Sequence, residues 1–343
     1  MVSDDKFKEM LKQYHNGTLN EEDERKIEDF LEKYDRYNEL LNQTDEEEKY
    51  NVSGEKILRK AQQKLFFRNA IVAMSLFLVI LPVLTFISII YYGSGGENGR
   101  GNDIIKTVET ISEVTVPNVY VDSDTIEHEI FPFNMNVVAH KYTLSEYGKK
   151  DLGKDHYQFF WNTLYNKESD YQNDGYSIEN IDRYFVHPDS SYVLEDESAE
   201  IEQLPSGMPV EVNVSLKDVY LLSDIRELFK RYDITWFAID TGVEGSLNND
   251  WDFNQTPAVG FPNIKVTGDL YKEFLSNLKF LNKHERVATS LTNYKDLKLG
   301  DRINNLEKNK DVQIYGLTLR ITPEKIEDLL KIKEVKIIRL LER

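Results

Sequence analysis

The sequence predicts an α+β protein in three parts: an N-terminal helical hairpin, one transmembrane helix, and a larger α+β domain containing a duplicated strand–helix–strand unit. Three observations predict it. Residues 70–92 hold 23 positions without a charge, residues 1–52 repeat apolar side chains at helical spacing, and a block beginning at Ile225 recurs at Ile326. The resulting segments are a hairpin over 1–52, a basic juxtamembrane helix over 53–69, the transmembrane helix over 70–92, a linker over 93–103, and an outer domain over 104–343.

In the first segment Phe7, Met10, Leu11 and Tyr14 stand at i, i+3, i+4 and i+7, the apolar face of a short helix. Gly17 suits the C-terminal cap, and Asn20 suits the N-cap of a second helix with Asp23 at its third position. The apolar face of that helix is Ile27, Phe30, Leu31, Tyr34 and Leu41. Sixteen acidic residues against eight basic ones make residues 1–52 strongly acidic. Two amphipathic helices, one of them short, bury their stripes incompletely. The leftover face predicts either self-association or a partner that takes a helix in a groove, and the carboxylates favour a basic partner surface. The candidate partner-binding residues are Phe7, Leu11, Tyr14, Ile27, Phe30, Leu31 and Tyr34.

Residues 70–92, AIVAMSLFLVILPVLTFISIIYY, would extend roughly 35 Å as a helix, against a hydrocarbon core of about 30 Å. The run lacks the polar stripe of a soluble helix and begins too far along the chain for a signal peptide. Lys56, Arg59, Lys60, Lys64 and Arg68 precede it, whereas only Arg100 lies in 93–101, so the N-terminus is expected in the cytoplasm. Pro82 predicts a kink, or a weak point open to an intramembrane protease. No G-x-x-x-G face occurs in the span. The glycine-rich stretch 93–101 has the composition of a flexible tether, accessible to proteolysis.

Beyond it, residues 104–200 read as β-rich, with alternating runs at 118–121 and 134–139. The blocks IRELFK at 225–230 and IEDLLK at 326–331 recur 101 residues apart, each preceded by a strand (211–216 and 312–317) and followed by another. Thr322 and Pro323 open the second helix as cap and first residue. Two such units suggest a ferredoxin-like sandwich.

The net charge of −18 excludes a broad phosphate-binding face, so no direct nucleic-acid contact is expected. Absence of cysteine removes disulfides, thiol nucleophiles and thiolate metal sites, and fits a bacterial envelope. The six histidines are scattered, and neither a G-x-S-x-G elbow nor a P-loop occurs. Asp170 to Gly175 has a calcium-loop outline, but Gln172 stands at the third ligand position and Ile181 at the twelfth, so it reads as a turn. The acidic cluster of Asp122, Asp124, Glu127 and Glu129 reads as solvated. No enzyme, metal or cofactor is expected.

The N-terminal sequence DDKFKEMLKQYHNGTLNEEDERKIEDFLEKYDRYNELL, then GEKILRKAQQKLFFRNA and the apolar run, resembles a family of membrane-bound bacterial anti-sigma factors with sigma-factor-regulator N- and C-terminal domains. The resembling stretch is roughly 4–92. A second stretch, over about 205–343, includes TWFAIDTGVEGS, GFP at 260–262 and YGLTLRITPEKIEDLLKIKEVKIIRLL. Many other anti-sigma factors use a zinc-binding His/Cys motif, which a cysteine-free chain cannot form. The resemblance implies that the cytoplasmic helices hold an extracytoplasmic-function sigma factor away from RNA polymerase. The outer domain would report envelope stress, with release by a conformational change, a second membrane protein or a protease. The competing expectation is an anchored envelope protein whose outer domain binds wall polymer or another protein, the hairpin serving only as anchor or self-association element.

Overall fold

A computed structural model describes residues 4–44, 54–96, 99–121, 123–145, 148–171, 185–263 and 268–341. It divides into two units, 1–77 and 78–343.

In the first unit α1 (Asp4–His15) packs against α2 (Glu21–Thr44). Their connection follows the expected punctuation. Gly17 takes the left-handed conformation at φ +66°, open to glycine at little cost, and Asn20 caps α2 by accepting from the Asp23 amide at 2.9 Å. Helix α3 (Gly54–Gly93) starts in this unit, continues through Pro82 without a break and ends in the second. Among the described residues it is the one helix long and apolar enough to cross a membrane.

Within the stretch 93–103 the described residues are 93–96 and 99–103. The Ser94 amide donates to Ile90 and the Gly99 amide to Gly96, both at 2.9 Å, and α4 (Arg100–Thr115) follows Gly99. Two glycines stand at close approach: a Cβ on Gly99 would lie 3.0 Å from the Gly96 carbonyl, and one on Gly101 3.1 Å from that of Tyr92. Helix α4 departs from the β-rich reading of 104–200 only over its own length, since 120–171 forms strands. Its β-branched residues disfavour an isolated helix, but Ile104, Val108, Ile111 and Val114 are buried, and tertiary packing overrides propensity.

The first sheet of the second unit comprises β1 (Tyr120–Val121), β2 (Glu127–Phe131), β3 (Asn134–Ser145), β4 (Gly148–Phe160) and β5 (Thr163–Tyr171). It is antiparallel in the order β1-β3-β4-β5, with β2 pairing along the same edge of β3 as β1. Two-residue turns, Pro132-Phe133 and Trp161-Asn162, join β2 to β3 and β4 to β5. They lie side by side, because Asn134 pairs with Phe160 and Phe160 with Thr163. The calcium-like stretch past Tyr171 and Asp122 of the acidic cluster lie outside the described residues.

After α5 (Ser198–Ile201), the chain forms β6 (Val210–Leu221), α6 (Leu222–Leu228), β7 (Asp233–Asp240), α7 (Asp250–Gln255) and β8 (Gly260–Pro262). Three helices follow, α8 (Leu270–Lys283), α9 (Glu285–Leu291) and α10 (Leu299–Asn309), then β9 (Gln313–Ile321), α11 (Ile326–Leu330) and β10 (Val335–Leu340). This sheet is antiparallel in the order β10-β6-β9-β7-β8. Both blocks run strand–helix–strand, with β6 and β9 adjacent at the centre and β10 and β7 outside them, a split β-α-β layout. Pro323 opens a 3-10 turn rather than an α-helix, and the Thr322 side chain does not cap it. One hydrophobic core runs from Tyr92 through α4 to both sheets and the helices α8–α10. Helix α4 is fixed within it, its Glu113 carbonyl accepting from the Trp236 indole at 2.9 Å.

Candidate functional site

The expected partner-binding residues all fall on the hairpin, where the structure gives them different tasks. Ile27 is 1% exposed and forms the hairpin's own core. Phe7, Leu11, Tyr14 and Leu31 are half-buried around it, and the rings of Phe7 and Phe30 meet edge to face at 4.9 Å. Phe30 and Tyr34 remain exposed, at 46% and 53%. Helix α1 has 12 residues and α2 has 24, so α2 outruns its cover. The exposed apolar row therefore continues to residues that the sequence reasoning left out of the site, Tyr37 at 60% and Leu40 at 64%, and to Leu41. Their signal was present: positions 30, 34, 37 and 41 step by four, three and four, a single stripe of an α-helix.

Charge frames this stripe. The first turn of α2 is Glu21, Glu22, Asp23 and Glu24, which complements the helix dipole. Lys26 bridges Glu22 and Asp23, Lys33 pairs with Asp29 and Arg36 with Glu32. Hydrogen bonds from Lys26 and then from Asn20 hold the Asp23 carboxyl below its ordinary range. Three of the four cations of α2 are thus spent within the helix, and Glu24, Glu28 and Asp35 add negative potential without an ion pair among the described residues.

Among the described residues of the second unit, two charged clusters are the most deeply buried. Arg302 and Glu244 form an ion pair, 0% and 2% exposed in their side chains. Arg302 donates further to Leu297 O, Thr241 Oγ1 and Pro257 O, and Glu244 accepts from the Thr241 amide at 2.8 Å. Gly242 makes room for this corner, at φ +75° with a Cβ that would meet Asn305 at 2.8 Å. The TGVEGS motif is therefore a structural clasp joining the end of β7 to α10. In the first sheet Lys141 pairs with Asp155 at 2.5 Å, both almost fully buried, and Asp155 also accepts from Tyr157 and Ser169 at 2.6 Å. Burial would raise the Asp155 pKa, but the Lys141 ammonium and these hydrogen bonds outweigh it and hold the carboxyl well below the usual range. Burial also depresses the Lys167 ammonium, which donates to Leu291 O at 3.0 Å. Among the described residues no group of three His, Asp or Glu side chains is placed to hold a metal.

The sigma factor regulator N-terminal family matches residues 55–144, which is α3, α4 and the start of the first sheet. The sigma factor regulator C-terminal family matches residues 201–341, which includes the whole second sheet. The hairpin lies outside both matches. It falls within the similarity to the probable anti-sigma-M factor YhdL of Bacillus subtilis (strain 168), 30% identical over 360 residues, covering 98% of this chain and 97% of the relative. No solved structure matches. With similarity over nearly its full length and both regulator domains present, the chain belongs to the anti-sigma factor family.

Proposed function

We propose that this chain is a membrane-anchored anti-sigma factor whose N-terminal helices hold an extracytoplasmic-function sigma factor in the cytoplasm. The observation that carries the reading is the stripe of Phe30, Tyr34, Tyr37 and Leu41 on an acidic helix. An apolar row flanked by carboxylates suits a partner with a basic rim around an apolar groove, and a protein that binds DNA presents such a surface. The relative's name adds a preference for a sigma factor of the sigma-M kind. In this reading α3 spans the bilayer once, and the basic flank at 56–68 keeps the N-terminus inside. The part of the second unit beyond α3 lies outside and regulates release, its two strand–helix–strand blocks being copies of one ancestral unit. The chain works by binding, without catalysis, and a protease or a second membrane protein acts on it.

Deleting residues 1–52 from the chromosomal copy tests the reading. Loss of repression of one sigma-dependent set of genes, and loss of that sigma factor from detergent-solubilised complexes of the full chain, are expected. An unchanged transcriptome with the truncated protein still in the membrane would sink it.

A further inference from the structure

The two hairpin turns at one edge of the first sheet carry aromatic side chains where backbone geometry favours glycine. Phe133 stands at φ +65° and Trp161 at φ +55°. A bulky residue in the left-handed region costs on the order of 1–2 kcal/mol, and strain of this kind persists where the side chain serves a purpose. The neighbouring Phe131 and Phe160 are exposed, at 43% and 49%. Two strained aromatics flanked by two exposed ones do not resemble the polar tips of ordinary hairpins.

Their place along α3 supplies the purpose. The Phe133 amide donates to Ser88 Oγ at 2.6 Å, and the Tyr92 hydroxyl donates to Phe133 O at 3.2 Å and Trp161 O at 2.9 Å. Ser88 and Tyr92 belong to the uncharged run 70–92. Four residues of helix rise about 6 Å, so the Phe133 main chain sits about one turn inside the end of that run. The Trp161 amide donates to Phe133 O at 3.0 Å, so the polar main-chain groups of the turn tips named here find partners within the protein. Backbone at membrane depth requires that arrangement, whereas backbone in water does not.

Charge beside the turns fits the same partner. Arg100 lies over the Tyr91 ring at 4.4 Å, and it lines one cleft with Lys283 and Arg286, beside the carboxylates Asp103 and Glu285. On a chain with net charge −18, a lining with more cations than carboxylates next to exposed aromatics suits anionic lipid phosphates.

We propose that the turns Pro132-Phe133 and Trp161-Asn162 form a membrane-docking face, which lies in the bilayer interface beside α3 with Phe131 and Phe160 among the lipid chains. This rests on reading α3 as a bilayer span. The α3 end and the first sheet then move together as one docked body, with the aromatic turns serving as its interfacial anchor.

The chain has no cysteine, so single cysteines report without background. The full chain carrying Phe131→Cys, Phe160→Cys, Val79→Cys or Val193→Cys is labelled with bimane in liposomes containing phosphatidylglycerol. Quenching is compared between lipid-borne nitroxide and aqueous iodide. Loss of fluorescence to the nitroxide and protection from iodide are expected at positions 131, 160 and 79, with the reverse at the exposed Val193. Lipid quenching at 79 with only iodide quenching at 131 and 160 would overturn the docking face and leave the span intact. Iodide quenching at 79 as well would overturn the span and the proposal with it. Unmodified protein provides a second readout: a carbene-generating lipid should label peptides containing 131–133 and 160–161, and labelling confined to α3 would count against docking.

Discussion

The Tyr92 hydroxyl donates to the Trp161 main-chain carbonyl at 2.9 Å, joining the end of the apolar helix to a hairpin turn 69 residues away. It reaches Phe133 O as well, and Tyr92 is 2% exposed. The end of α3 is built into the core of the second unit, so a displacement of the first sheet reaches that end directly.

Tyr92→Phe keeps the ring and removes the donor, leaving the Trp161 carbonyl short of a partner. A loss of about 1–3 kcal/mol is expected, the usual penalty for an unsatisfied buried group. Thermal unfolding in detergent, together with faster amide exchange at the two turns, would register it. An unchanged melting temperature and unchanged exchange would show that the joint is held by packing alone.

Within the hairpin, burial separates scaffold from contact. Ile27→Asp places a charge in the hairpin core and should abolish both helicity and partner binding. Tyr37→Asp, on an exposed position, should keep the helices and still weaken sigma-factor retention by about 2 kcal/mol or more, as loss of an interface anchor commonly does. Circular dichroism and co-purification of each full-length variant distinguish the two. If Tyr37→Asp retains the sigma factor normally, the stripe is not the docking face.

The first sheet should weaken in acid through Asp155. Its folded pKa lies below the unfolded value of about 3.9, so the contribution is fully present above that value and is lost as pH falls below it toward the folded pKa. Asp155→Asn should be less stable at pH 7, by about 3–5 kcal/mol, because Lys141 is left buried without its counter-charge. Its stability should also fall less steeply than that of the unaltered protein between pH 5 and pH 2. Parallel pH curves for the two proteins would rule out this carboxylate as the source.

Glu244→Ala leaves the Arg302 guanidinium buried and unbalanced, and a similar loss of about 3–5 kcal/mol is expected. Arg302→Met on that background should recover part of it, since an apolar group of similar length removes the orphaned charge. Chemical denaturation of the four proteins of the double-mutant cycle gives the coupling energy directly.

Local chemistry was legible in the sequence. Helical spacing located α1 and α2, Gly17 and Asn20 marked the turn between them, and the uncharged run located the apolar part of α3. Each of these signals lies within a few residues of the structure it specifies. The strand–helix–strand blocks at Ile225 and Ile326 were legible for the same reason, whereas the order β10-β6-β9-β7-β8 depends on pairings about a hundred residues apart. Helix α4 was hidden because its Thr, Ile and Val residues favour strands until a core surrounds them. Sequence also could not divide the apolar face of α2, since Ile27 and Tyr37 are both apolar positions of one stripe and only the length of α1 decides which is covered. The 93–103 stretch shows the difference most clearly. Glycine composition allows a tether, but the same small residues permit close approach, and only the tertiary structure brings Gly99 against the Gly96 carbonyl and Gly101 against that of Tyr92.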